Sequence, residues 1–129
     1  MKINPKSLIW VLFSTWIICS SQKEIPTNDP IIVQNYYYPK DGNEAKVLEL
    51  RKQASALRHR LSLPRGRILK RVGGDGGSYI IWECEYASQA SRDHDLEVLG
   101  NSEEFKSIQS RMDTLIIRFE RSVFTIEDK

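Results

Sequence analysis

The chain has 129 residues, of which 40% are hydrophobic and 28% are charged, a composition typical of one globular domain that excludes wholesale disorder. Its formal net charge of +2 comes from two lysines within the first 19 residues, and the rest of the chain is electrically balanced. This balance gives no global electrostatic reason to expect a nucleic-acid partner.

Residues 1–19 have the layout of an export signal. Lys2 and Lys6 form a positive segment, which the uncharged apolar run of residues 8–18 follows. A helix of this run would cover roughly 16 Å, about half of a hydrocarbon core. The pattern therefore predicts a signal peptide rather than a membrane-spanning helix.

Cys19 directly follows the apolar run, and this arrangement resembles a bacterial lipoprotein signal, in which that cysteine is lipidated and becomes the mature N-terminus. The resemblance implies an exported protein that a lipid anchors to a bacterial membrane, on the periplasmic or cell-surface side. Ile18 and Trp16 differ from the residues usual in such signals. Two alternatives stay open, namely cleavage after Ser21, which would give a secreted protein, and an uncleaved anchor.

Residues 20–30 are polar, contain Pro26 and Pro30, and predict a flexible tether ahead of a domain at residues 31–127. The β-branched and aromatic residues 31–38 predict a first strand, which Pro39 and an Asp-Gly turn end. A helix follows and stops before Pro64, because apolar side chains recur at spacings of three and four: Val47, Leu50, Ala54, Leu57 and Leu61.

Two further strands are predicted at residues 67–72 and 78–86, joined by the glycine-rich hairpin loop of residues 73–77. Ser88 is expected to cap a second helix, which Gly100 ends. A third helix starts at Asn101 or Ser102, with Glu104 able to complete a capping box from Asn101. Residues 117–126 predict the fourth strand.

The order β-α-β-β-α(α)-β predicts an α+β, ferredoxin-like fold. Its four-stranded antiparallel sheet has the spatial order 4-1-3-2, with the helices on one face. The helices can cover only one face, yet both side-chain sets of the first strand contain apolar or aromatic residues. Such a patch exceeds what a monomer usually exposes. We therefore expect a two-fold homodimer.

Residues 31–127 resemble the dimeric α/β-barrel superfamily and, within it, the NIPSNAP family. Besides the element order, four short segments carry the resemblance: residues 82–88 at the end of strand three, Arg92-Asp93, residues 102–105, and residues 37–42. Members often carry arginine where this chain has Asn35. The resemblance implies a homodimer with a cavity between sheet and helices, but no one chemistry, because relatives include monooxygenases, haem-degrading enzymes and proteins with no known activity.

The cavity that this resemblance implies would have Asn35, Tyr37, Trp82 and Tyr86 as ligand-binding residues. Tyr86 corresponds to a pocket tryptophan of haem-degrading relatives, and Asn35 could supply the asparagine that they use. Their histidine has no counterpart in the third helix. The simpler interpretation is that Trp82 and Tyr86 are core aromatics.

Glu83 and Glu85 form a carboxylate pair on strand three that could serve acid–base chemistry. The hairpin offers a structural alternative. If Val72 pairs with Ser78, then Arg67 lies opposite Glu83, and an arginine two residues earlier, Arg65, lies opposite Glu85. The glutamates would then be partners in cross-strand ion pairs.

The segment of residues 51–71 contains eight lysines or arginines and no acid, which could form an anion-binding patch at Arg58, His59 and Arg60. A solvated face that meets acidic neighbours is the alternative. No histidine or cysteine stands at metal-ligand spacing from His59 or His94, so no metal site and no cofactor are predicted. Cys84 lies in an apolar strand and is expected to be a buried, inert thiol.

Two functional hypotheses follow. The first is an exported, membrane-anchored NIPSNAP-like module that binds a small apolar or anionic molecule or a protein. The second is a cofactor-independent monooxygenase acting in the cavity. A polar, water-accessible cavity would favour the enzyme, and a cavity filled by the aromatic rings would favour the module.

Overall fold

The computed structural model describes residues 28–76 and 79–128. Their elements follow the predicted order: β1 (Ile31–Pro39), α1 (Glu44–Arg60), β2 (Arg67–Lys70), β3 (Ile80–Tyr86), α2 (Gln89–Gly100), α3 (Glu103–Asp113) and β4 (Ile116–Thr125). The predicted signal, the lipidation site Cys19 and the tether as far as residue 27 lie outside the described residues. None of the described helices is long and apolar enough to cross a membrane.

The four strands form one antiparallel sheet in the order β2-β3-β1-β4, which confirms the predicted order and the ferredoxin-like fold. The hairpin register is also as predicted, with Arg67 opposite Glu83 and Ile68 opposite Trp82. The strands of this hairpin are shorter than expected, because β2 ends at Lys70 and β3 begins at Ile80.

One face of the sheet packs against the helices. Alternate residues of the two central strands are buried there, because neighbouring side chains of a strand point to opposite faces: Ile31, Val33, Asn35 and Tyr37 of β1, and Ile80, Trp82, Cys84 and Tyr86 of β3. The helices complete this core with the residues that their periodicity predicts, mainly Val47, Leu50, Ala54, Leu57, Ile108 and Met112.

The helix caps confirm one prediction and correct another. Ser88 caps α2 as expected, its hydroxyl accepting a hydrogen bond from the backbone N–H of Ser91 at 3.2 Å. The capping box from Asn101 is wrong, because Asn101 ends α2 and its side-chain amide donates to the carbonyl of Glu97 at 3.1 Å. Ser102 caps α3 instead.

None of the described helices packs against the other side of the sheet, here called the open face. The register places on it the apolar or aromatic side chains of Ile32, Tyr36, Tyr38, Leu69, Ile81 and Phe124. Leu69 and Phe124 are 37% and 45% exposed. The open face therefore mixes these apolar side chains with polar ones, and the described helices do not cover it; the polar residues are Gln34, Arg67, Glu83, Glu85, Arg118, Glu120 and Ser122.

A polar strip crosses the open face and contains Glu83. The side-chain amide of Gln34 donates to this carboxylate at 2.6 Å, and Arg67 forms an ion pair with it. The hydrogen bond from Gln34 is the main cause that lowers the pKa of Glu83, and the charge of Arg67 adds to it against the opposing effect of burial. Glu83 is thus a cross-strand ion-pair partner, as the structural alternative predicted.

The second predicted ion pair, between Arg65 and Glu85, is not formed among the described residues. The reason is that β2 begins only at Arg67, so Arg65 precedes the ladder. Gly66 turns the chain there with a φ of +68°, and the carbonyl of Arg65 accepts a hydrogen bond from Nε1 of Trp82 at 3.1 Å.

Candidate functional site

A cavity of about 290 Å³ lies between the helices and the helix-facing side of the sheet. This volume is at the lower end of the range of small-molecule pockets, about 300–1,000 Å³. Apolar side chains from β1, α3 and β4 line the cavity. Four arginines and two aspartates line it as well and give it a net positive charge: Arg51, Arg58, Arg92, Arg121, Asp95 and Asp113.

Arg58 and Asp95 form a buried ion pair at one end of the cavity, with 3% and 2% of their side chains exposed. Tyr86 joins them, because its hydroxyl donates to Oδ2 of Asp95 at 3.1 Å and accepts from Nη2 of Arg58 at 3.0 Å. Nε of Arg58 also donates to the carbonyl of Pro64 at 2.7 Å. This network ties α1 and α2 to the end of β3 and satisfies the buried charges within the protein.

Tyr86 remains a neutral phenol in this network. Burial is the main cause that raises its pKa above the usual value, and it outweighs the opposing effect of the positive charge of Arg58. The hydroxyl is therefore a proton donor to Asp95 at neutral pH. This role is structural, in agreement with the simpler sequence interpretation of this ring.

Arg51 lies two helical turns before Arg58 on the same side of α1 and is equally removed from solvent, with 5% of the residue exposed. Its Nη1 donates to the hydroxyl of Tyr37 at 3.0 Å, and its guanidinium lies over the Trp82 ring at 5.1 Å from the ring centre. Its Nε is buried and has no hydrogen-bond acceptor within residues 28–76 and 79–128. Among the described residues no carboxylate pairs with Arg51.

Arg121 of β4 and Arg92 of α2 also line the cavity. Nε of Arg121 donates to Oδ1 of Asn35 at 2.8 Å. Partial removal from water lowers the pKa of Arg121, and the nearby positive charge of Arg92 lowers it further. Neither arginine forms an ion pair within residues 28–76 and 79–128.

The four residues predicted to bind a ligand all line the cavity: Asn35, Tyr37, Trp82 and Tyr86. Asn35 is oriented by Arg121, and Tyr37 by Arg51. The aromatic rings form the walls and leave space between them. Binding of a ligand at these residues stays a prediction.

The predicted anion patch of Arg58, His59 and Arg60 does not form a surface. Arg58 points into the core, where Asp95 neutralises it. His59 is exposed, and the exposed Arg60 pairs with Glu104 of α3. The patch prediction was wrong because adjacent residues of a helix point in directions about 100° apart, so three in a row cannot share one face.

The sequence analysis missed Arg51, Arg92 and Arg121 as site residues. A signal for Arg51 was present, since it stands at a core-facing position of α1 beside Leu50 and one turn before Ala54. An arginine at such a position is unusual and points to a special environment. For Arg121 the sequence offers no comparable signal, because its partner Asn35 is 86 residues away.

The described residues hold no cluster of histidine, cysteine, aspartate or glutamate that could bind a metal ion. Cys84 is buried, and burial is the main cause that raises its thiol pKa, so the sulfur stays protonated at neutral pH. This is the inert thiol expected from the sequence.

Solved structures with the same fold include NIPSNAP proteins. No protein-family model matches the sequence, and no curated protein matches it significantly. A NIPSNAP family protein from Agrobacterium tumefaciens is 20% identical, with a TM-score of 0.62 over 78% of this chain and 88% of that one. The likeness confirms the predicted NIPSNAP resemblance at the level of the fold.

Two Bacteroides structures are also similar. A protein from Bacteroides fragilis, described as dimeric, of unknown function and ferredoxin-like in fold, is 12% identical, with a TM-score of 0.57 over 75% of this chain and 96% of that one. A conserved protein of unknown function from Bacteroides thetaiotaomicron, described as a possible oxidoreductase, is 10% identical, with a TM-score of 0.57 over 78% of this chain and all of the other.

Proposed function

We propose that this chain is an exported, NIPSNAP-like homodimeric module that binds a small molecule in the cavity between sheet and helices. The observation that supports binding most directly is the cavity itself. It is walled but not filled by the rings of Tyr37 and Trp82, and it combines apolar side chains with polar atoms of Asn35 and Arg51. Such a combination is typical of small-molecule sites.

Blocking the cavity mouth tests ligand binding. Leu96 lines the cavity and is 45% exposed, so Leu96→Trp should narrow the entrance without overpacking the core. Ala90→Trp is a matched control, because Ala90 is exposed on the same helix and does not line the cavity. A thermal-shift screen of small molecules should give hits that Leu96→Trp abolishes and Ala90→Trp retains. Hits that survive Leu96→Trp would contradict binding in the cavity.

The homodimer is supported by the open face. Its apolar side chains would be covered if the sheets of two copies packed face to face, the arrangement that the dimeric α/β-barrel resemblance implies. The polar strip would not prevent this, since Gln34, Glu83 and Arg67 already bond to one another. The similar Bacteroides fragilis protein is described as dimeric.

A charge placed on the open face tests the dimer. Ile81 lies at its centre, so Ile81→Glu should convert a dimer into a monomer, because a carboxylate buried between two sheets lacks a partner. Val72→Glu adds the same charge to a residue that is 97% exposed outside the sheet, and should leave the dimer intact. Sedimentation equilibrium at micromolar concentration measures both variants, and a monomeric wild type would refute the proposal.

Export and lipid anchoring are supported by the sequence of residues 1–19, with Cys19 as the lipidation site. Expression in a bacterial host with a labelled fatty acid should give a labelled protein in the membrane fraction, and Cys19→Ala should lose the label. An unmodified mature chain beginning at Gln22, identified by mass spectrometry, would instead establish cleavage after Ser21 and secretion.

A cofactor-independent monooxygenase is the second candidate. The criterion set in the sequence analysis supports this candidate, because the aromatic rings leave the cavity unfilled and polar side chains line it. Asp113 supports it as well, since this cavity carboxylate has no ion pair among the described residues and could accept a phenolic proton. One oxygen atom of O2 would enter a hydroquinone-type substrate and the other would leave as water, the substrate supplying all the electrons. Oxygen uptake no faster than uncatalysed autoxidation, or uptake that Asp113→Asn leaves unchanged, would refute this mechanism.

A further inference from the structure

We infer that the ligand of the cavity is an organic anion with an apolar body, and that Arg51 binds its anionic group. This inference rests on the proposed small-molecule function and goes beyond it, because it names the chemistry of the ligand and a residue that recognises it. It follows from the different environments of two arginines on one helix.

Arg51 and Arg58 stand seven residues apart on α1, are buried to a similar extent, and both contact the Trp82 ring. Arg58 has a carboxylate, a phenol and a backbone carbonyl as partners. Arg51 has the Tyr37 hydroxyl as a partner, and its Nε has no acceptor in the part of the chain that the structure describes. A buried guanidinium without an anion is unfavourable, because the protein replaces only part of its hydration. A ligand anion in the cavity would supply the missing partner.

The surrounding charges favour an anion at the same place. Arg92 and Arg121 lie close enough to each other for repulsion, and neither has an ion-pair partner among the described residues. The negative charges of the cavity are Asp95, which Arg58 neutralises, and Asp113. The cavity as a whole therefore has an excess of positive charge, which one anionic group would reduce.

The remaining wall fits an apolar body. Val33, Phe105, Ile108 and Met112 also line the cavity, and Phe119 of β4 lines it with 41% of its surface exposed. A volume of about 290 Å³ corresponds to roughly ten water molecules at about 30 Å³ each. Phenylacetate is small enough to fit this volume, and a carboxylate can accept two hydrogen bonds from one guanidinium.

Pairs of ligands of equal shape test the charge requirement. Calorimetric titration of the purified chain would compare phenylacetate with phenylacetamide, and octanoate with octanamide. We expect at least one carboxylate to bind at least tenfold more tightly than its amide, and the preference to weaken as salt rises. Amides that bind as tightly as the carboxylates would overturn the inference but leave the proposed function intact. If no member of either pair binds, the inference is overturned as well.

Arg51→Gln and Lys52→Gln each remove one positive charge from neighbouring positions, and together they test the role of Arg51. Arg51→Gln should abolish the preference for the carboxylate, and Arg51→Lys should restore part of it. Lys52→Gln, at the next and exposed position, should leave it unchanged. A preference that survives Arg51→Gln would overturn the role of Arg51. Arg121→Gln, at an exposed residue that the fold should tolerate, should weaken carboxylate binding several-fold.

Competition with acetate and inorganic phosphate tests the apolar body. We expect both ions to displace phenylacetate only at high concentration. This concentration should be at least tenfold higher than the one at which octanoate displaces phenylacetate, or the one at which phenylacetate itself binds. Equal potency of acetate or phosphate would mean that the apolar wall contributes nothing to recognition, and would overturn that half of the inference.

Discussion

The two buried arginines of α1 should respond in opposite ways to the same substitution. Replacing either with methionine removes the charge and keeps most of the apolar packing of the side-chain stem. Arg58 has its counter-ion inside the protein, whereas Arg51 has none among the described residues. We therefore expect Arg58→Met to be strongly destabilising and Arg51→Met to be nearly neutral in the absence of ligand.

The expected changes in the free energy of unfolding follow from the contacts that each substitution removes. Arg58→Met leaves Asp95 as an unpaired buried carboxylate, which costs about 3–5 kcal/mol. Arg51→Met removes a charged hydrogen bond to Tyr37, worth about 1.5–3 kcal/mol, and a contact with the Trp82 ring worth up to about 2 kcal/mol. Arg51→Met also removes the desolvation penalty of a buried cation, which amounts to several kcal/mol. The lost contacts and the removed penalty nearly cancel, so the free energy of unfolding should change by about 1 kcal/mol or less.

Urea denaturation and thermal unfolding, followed by circular dichroism, measure both variants. In a domain of about 100 residues a loss of 1 kcal/mol lowers Tm by roughly 4–8 °C. Arg58→Met should therefore lower Tm by at least about 12 °C, and Arg51→Met by no more than about 8 °C. Lys52→Met, which removes a charge from an exposed neighbour, is the control. An equal large loss in both variants would show that Arg51 is a structural residue.

Three further predictions concern stability. Gly66→Ala places a Cβ 2.4 Å from Nε1 of Trp82 at a φ of +68°, so the free energy of unfolding should fall by about 3 kcal/mol or more. Gly42→Ala, in open space, should lower it by about 1–2 kcal/mol. Equal losses on urea denaturation would contradict the close approach at Gly66. Burial raises the pKa of Tyr86, so the unfolded chain loses that proton first and stability falls as pH rises above about 10. Tyr86→Phe should flatten this fall, and identical slopes would refute the assignment. The hydrogen bond from Gln34 is the main cause that lowers the pKa of Glu83, so the contribution of this carboxylate to stability is lost as pH falls below about 4.5. Glu83→Gln should therefore weaken the acid dependence of Tm.

Local patterns in the sequence were sufficient for the framework of the fold. The three-and-four spacing of apolar residues in α1 identified which side chains of that helix enter the core. The glycine-rich hairpin set the register that pairs Arg67 with Glu83. These predictions succeeded because each depends on the geometry of one element or of one short connection.

The element order was thus determined by the sequence alone, and the family resemblance named Asn35, Tyr37, Trp82 and Tyr86 as residues of the cavity. The tertiary structure decided which side of β1 faces the helices, because both side-chain sets of that strand contain apolar residues. Only the tertiary structure decided what the charged residues do in the cavity. Arg51 and Arg58 occupy equivalent positions in the helical repeat, but Asp95 of α2 lies beside Arg58 and not beside Arg51. Helix periodicity fixes the direction of a side chain, whereas its partner depends on how distant elements pack together. The same holds for Arg121 and Asn35, which meet only because β4 pairs with β1.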